Sequence, residues 1–113
     1  MDCIFCKIRD KEIPSEFILE EKNWFAVKDI NPEAPVHVLV IPKEHIEYLE
    51  DSSGKEELIG ELILGADKVA HKMGIEEKGY RVVINQKENS GQVIAHLHIH
   101  VLGGKKLGSK ILG

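Results

Sequence analysis

Ala95-His96-Leu97-His98-Ile99-His100-Val101-Leu102-Gly103-Gly104 alternates imidazole and aliphatic side chains before two glycines stop it. Along an extended chain successive side chains point to opposite faces. His96, His98 and His100 therefore share one face, and Leu97, Ile99 and Val101 share the other. The aliphatic face reads as core. Three adjacent imidazoles are poor core material, because each brings ring nitrogens that need partners. The reading is a long strand from Val93 to Leu102 with a chemical face and a packing face.

Upstream, Val36-His37-Val38-Leu39-Val40-Ile41 is almost wholly apolar or β-branched, the pattern of a central strand, and Pro42 ends it. Phe17 to Glu20 and Trp24 to Lys28 flank Glu21-Lys22-Asn23 as a hairpin. Between hairpin and central strand, Asp29-Ile30-Asn31-Pro32-Glu33-Ala34-Pro35 is a loop whose prolines forbid regular pairing. Apolar residues at 58, 59, 62, 63, 66, 69, 70 and 73 mark a long helix over residues 55–73, closed by Gly74. Gly60 and Gly65 inside it cost about 1 kcal/mol each relative to alanine, so packing must hold the helix. Tyr80 to Asn85 reads as a strand and residues 3–11 as a short helix ended by Ile13-Pro14. The sum is an α+β fold: a five-stranded antiparallel meander with one long helix and a short N-terminal one.

The 113 residues suit one domain, over residues 1–104, followed by a patternless tail over 105–113 that reads as disordered or as crossing to a partner. With 42% hydrophobic and 30% charged residues, the composition is that of a globular protein rather than a disordered or fibrous chain. A net charge of −4 argues against general nucleic-acid binding. No apolar run reaches the roughly 18 residues of a membrane span, and Met1-Asp2-Cys3-Ile4 does not look like a signal peptide. The expectation is a cytoplasmic protein. Cys3 and Cys6 then read as half a metal site or a redox pair. Metal is preferred, since no strand fits ahead of residue 3 to build a thioredoxin-like unit.

Two chemistries suit the histidine face: metal ligation by H-x-H, or nucleophilic catalysis by an imidazole whose tautomer is fixed by a neighbour. The loop before it favours the second. Ser90-Gly91-Gln92 offers backbone N–H groups, while Asn85 and Gln92 add side-chain amides, neutral donors suited to a phosphate.

Gly91-Gln92-Val93 followed by His96-Leu97-His98-Ile99-His100-Val101 resembles the signature of the histidine triad family, H-φ-H-φ-H-φ-φ with φ apolar. The likeness extends through Ile13-Pro14, Asp29-Ile30-Asn31-Pro32, Ala34-Pro35-Val36-His37, Leu39-Val40-Ile41-Pro42-Lys43 and His45-Ile46, roughly residues 3–104. It is to the nucleotide-binding, purine nucleoside phosphoramidase branch, in a prokaryotic form that keeps C-x-x-C. The resemblance implies a hydrolase that moves a nucleotidyl group onto His98 and then to water. His100 would sit against the phosphate, with His96 and His37 supporting the catalytic strand. Asn85, Gly91, Gln92 and the Val93 amide would hold the phosphate, and Asp29 the ribose. Ile4, Phe5, Ile8, Val27, Ile30 and Leu39 would line a purine pocket. Zinc-bearing relatives imply a structural zinc on Cys3, Cys6, His45 and His96, not required for catalysis. The alternative is two cysteines acting as small hydrophobes, with His45 capping a turn. A homodimer whose two sheets join is also implied, with neither nucleic acid nor membrane as a partner.

Two positions depart from the family. Many relatives carry serine where Val93 stands, which removes a hydroxyl near the leaving group. The tail has no tryptophan, which leaves the side-chain preference of the substrate open. Competing readings are a dinucleoside polyphosphate hydrolase, a non-catalytic nucleotide-binding adaptor, and a zinc hydrolase using all three histidines. The last lacks an evident general-base carboxylate. His71, on the long helix, is assigned no role.

Overall fold

In a computed structural model that describes residues 3–108, the chain runs α1 (Ile4–Arg9), β1 (Phe17–Glu20), β2 (Trp24–Lys28), β3 (Val36–Pro42), α2 (Glu56–Lys72), β4 (Arg81–Val83) and β5 (Ile99–Gly103). Short 3-10 turns occupy Leu49–Asp51 and Glu88–Ser90. The tail residues 109–113 lie outside the described residues; residues 105–108 form no element, and Arg81 donates to the Gly108 carbonyl at 2.6 Å.

The strands form one antiparallel sheet in the order β1-β2-β3-β5-β4. The first three follow chain order, as a meander does. After α2 the order changes, because β5 slots between β3 and β4 and leaves the three-residue β4 at the edge. Strand β3 is central, and it is buried on both faces. Val38 and Val40 join Trp24, Ala26, Ile99 and Val101 under α2. Leu39 and Ile41 join Phe25 and Val27 under Phe5 and Ile8 of α1. That two-sided burial is why its sequence is an unbroken apolar run.

Helix α2 carries Glu56 and Glu57 in its first turn and His71 and Lys72 in its last, matching the helix dipole. Its buried face is Leu62, Gly65, Ala66, Val69 and Ala70. Gly65 is needed for contact: a Cβ there would lie 2.9 Å from Cζ2 of Trp24. The flexibility cost of that glycine is thus offset by an indole packed directly on the helix backbone.

The strand expected over residues 93–102 is shorter than its sequence implies. Only Ile99–Gly103 enters the ladder, paired with Val36–Val40 of β3. Residues 93–98 instead run along the loop after β3, where the Leu97 N–H donates to the Ile46 carbonyl. Alternation survives without the ladder, since Leu97, Ile99 and Val101 are all buried in the α2 core. The 80–85 strand likewise contracts to Arg81–Val83. Among the described residues no helix is long and apolar enough to cross a membrane.

Candidate active site and metal cluster

His98 and His100 lie on the sheet face opposite α2, below α1. His98 is 8% exposed and edge-on to Phe5, with ring centroids 5.0 Å apart; the His98 and His100 rings are 5.1 Å apart. The His98 Nδ1 lies 2.7 Å from the His96 carbonyl oxygen. A carbonyl can only accept, so Nδ1 carries the proton and Nε2 keeps its lone pair. Burial lowers the His98 pKa below its ordinary value, opposed by that backbone bond and by the charge of Asp29. The ring is therefore neutral at neutral pH, with one nitrogen free to attack.

A second tautomer is fixed from the backbone. The Glu33 N–H donates to Nδ1 of His37 at 3.1 Å, which places the His37 proton on Nε2. That nitrogen is 2.9 Å from Nδ1 of His100 and 3.4 Å from Oδ2 of Asp29. His100 then accepts at Nδ1 and presents Nε2–H as a donor. Burial lowers its pKa to about 4, helped by His98 and His37 and opposed by Asp29, so it donates without carrying charge. One neutral ring with a lone-pair Nε2 and one neutral N–H donor stand side by side.

Two clefts meet at this pair, and both are lined by Glu33, Val93, His98 and His100. The first, about 350 Å³, runs toward α1 and is lined by every residue read as purine-binding: Ile4, Phe5, Ile8, Val27, Ile30 and Leu39, with Asp29 at its polar end. The Asp29 Oδ1 accepts from the Asn31 N–H at 2.8 Å, which holds the carboxylate in place. The second, about 290 Å³, runs toward the 85–93 loop and brings in Val83, Asn85, Ser90, Gly91, Gln92 and Leu102.

The 85–93 loop is built around Gly91, whose φ of +87° is the left-handed region that glycine enters without strain. Gln92 differs from expectation. Its Oε1 accepts from the Lys87 N–H and its Nε2 donates to the Ile94 carbonyl at 3.0 Å. Its amide is spent on shaping the loop rather than left for a phosphate. The Val93 N–H and the Asn85 amide make no hydrogen bond to a described group and remain as donors. The Val93 side chain itself is 94% exposed. The sequence reading assigned no site role to Ser15, Lys28, Asn31, Glu33 and Ile94 in the first cleft or to Val83 and Leu102 in the second. Only fold contacts mark them, for none belongs to a chemically distinctive pattern.

His96 is turned elsewhere. Fully buried, it directs Nδ1 at Cys3 Sγ (3.3 Å), Cys6 Sγ (3.7 Å) and His45 Nδ1 (3.0 Å), and Cys6 Sγ is 3.3 Å from His45 Nδ1. The four donor atoms all lie within 4.8 Å of one another. A tetrahedral ion with nitrogen donors near 2.0 Å and sulfur donors near 2.3 Å holds them about 3.3–3.8 Å apart, so the set fits such an ion. The His96 Nε2 donates to the Pro42 carbonyl at 2.9 Å, leaving Nδ1 as its lone-pair nitrogen toward the cluster. His45 turns Nδ1 inward and leaves Nε2 buried without a partner among the described residues. Burial lowers the His96 pKa to about 4, and burial together with Cys3 raises that of the Cys6 thiol. An ion in the cluster would displace that thiol proton. The residues expected to hold zinc thus come together as a group that could bind a metal.

Residues 10–107 match the model of the HIT domain. The chain belongs to the HIT, or histidine triad, family. A purine nucleoside phosphoramidase of Escherichia coli is 41% identical over 108 residues, which cover 95% of this HIT protein and 91% of that one. Among solved structures, a histidine triad protein from Clostridium difficile superposes with a TM-score of 0.93 at 40% identity, covering 97% of this chain and 96% of that one. A HIT family hydrolase from Clostridium thermocellum gives 0.93 at 46% identity, covering 98% and 97%.

Proposed function

We propose that this HIT protein hydrolyses purine nucleoside 5′-phosphoramidates by way of a nucleotidyl-His98 intermediate. The observation that carries the reading is the bond from His98 Nδ1–H to the His96 carbonyl, which leaves a neutral Nε2 at the junction of two clefts. The purine occupies the α1 cleft between Phe5 and Leu39, and Asp29 takes the ribose hydroxyls. The phosphate lies between His98, His100 Nε2–H, the Val93 N–H and the Asn85 amide, with Gly91 and Gln92 shaping the loop.

In the first step Nε2 of His98 bonds to phosphorus and the P–N bond of the substrate breaks. The departing amine keeps that electron pair and takes a proton from solvent. In the second step water attacks phosphorus, the bond to Nε2 breaks, and its pair returns to the ring. The water gives up a proton to solvent and the nucleoside monophosphate leaves. His100 stabilises the developing charge in both steps, and His37 holds its tautomer.

Zinc, held by Cys3, Cys6, His45 and His96, would supply a closed structural anchor and take no part in the chemistry. The donor set supports this, and a reducing, cytoplasmic setting would keep both thiols available as ligands. A homodimer joining two sheets is supported by the short edge strand β4, whose Val82 is 40% exposed. Hydrolysis of adenosine 5′-phosphoramidate, by wild type and His98→Ala, tests the activity. Turnover confined to the wild type is expected. Binding of nucleotide without turnover by either, or turnover only of dinucleoside polyphosphates, would contradict it.

A further inference from the structure

Glu33 sits where the two clefts meet. It lines both, together with Val93, His98 and His100. Its place is fixed by its own backbone, whose N–H is bonded to Nδ1 of His37. Its side chain is exposed and makes no ion pair with a described residue. The other residues of the second cleft besides the two histidines are Val83, Asn85, Ser90, Gly91, Gln92, Val93 and Leu102, all uncharged. Among the described residues no lysine or arginine lines that cleft. Lys28, on the far side in the α1 cleft, is 3.3 Å from Glu16.

With the nucleoside in the α1 cleft, the departing group must occupy the second one. Among the described residues that cleft offers one unneutralised carboxylate and no lysine or arginine. A leaving group made of further phosphates would meet repulsion there, and one with a protonated amine would meet attraction. We infer that Glu33 selects the leaving group by charge, favouring phosphoramidates of amines that bear a second, cationic nitrogen over neutral amines and over polyphosphates. This rests on the phosphoramidase reading above.

The test compares three adenosine derivatives. Two are phosphoramidates of equal length, one from a diamine with a protonated far end and one from an alkylamine ending in methyl. The third is a diadenosine polyphosphate. The readout is the ratio of kcat/KM values, so a general loss in a variant cancels. An exposed ion pair predicts that wild type favours the cationic amide by about two- to five-fold. The ratio should shrink in about 1 M salt, where screening acts within roughly 3 Å. It should approach unity in Glu33→Gln and invert in Glu33→Lys, which should also improve on wild type with the polyphosphate. A wild-type ratio of one, or a ratio that survives Glu33→Gln, overturns the inference. Absence of turnover on any phosphoramidate would sink the parent reading instead. The same ratios read as binding affinities by calorimetry would then still decide the charge claim.

Discussion

His96 and His98 are two residues apart, yet their rings sit in different surroundings. His96 is sealed among two sulfurs and a second imidazole, with its far nitrogen on the Pro42 carbonyl. His98 bonds through Nδ1 to the His96 backbone and opens onto two clefts. On the proposed reading the first is an anchor and the second a reactive group, and the His96 carbonyl joins them. Identical side chains are thus told apart by which nitrogen the backbone occupies and by what faces the other.

The largest break in that contrast is His98→Ala. Removing the nucleophile should lower kcat by about 10⁴-fold or more while purine binding persists, read by single-turnover kinetics and calorimetry. The matching change at the anchor is Cys6→Ala. It should leave the cluster a donor short, abolish stoichiometric metal by elemental analysis, and cost about 2–4 kcal/mol in denaturant unfolding. Wild-type stability after chelation should fall in the same direction. If Cys6→Ala bound metal as before, the assignment of the cluster would fail.

His37→Ala sharpens the comparison from the reactive side. With its donor gone, His100 can place its proton on either nitrogen, and kcat should fall about 10- to 100-fold, measured at a temperature where the variant remains folded. His37→Gln, whose amide can donate to His100, should recover part of the loss. The remaining effect is on pH. His100 is held neutral, its pKa lowered from 6.5 to about 4. The unfolded chain therefore binds more protons between those values, so stability falls as pH drops from 6.5 toward 4 and levels below it. The slope from this group is at most about 1.4 kcal/mol per pH unit. For the same reason the acid limb of kcat/KM should lie below pH 6.5, as burial of His98 also requires. A limb at 6.5 would mean rings titrating as if exposed.

Sequence legibility followed the same division. The apolar run of β3 and the helical spacing of α2 are visible because burial imposes a period. The Cys-x-x-C pair and the three histidines are visible because their side chains are chemically rare together, although grouping them by role depended on family resemblance. What the sequence hid was set by tertiary competition. The 93–98 segment has strand alternation but bonds to the loop at Ile46, so β5 is short. Gln92 looks like a phosphate donor, yet its amide is consumed by Lys87 and Ile94. Glu33 looks like a solvated loop acid, and only the fold brings it to the mouth of both clefts.

Covalent catalysis at His98 is probed by turnover of an adenosine phosphoramidate quenched rapidly at alkaline pH, followed by peptide mass spectrometry. An adenylyl adduct that forms within the first turnover and maps to His98 is expected. An adduct on another residue, or product formed in the first turnover with no protein-bound nucleotide, would contradict it.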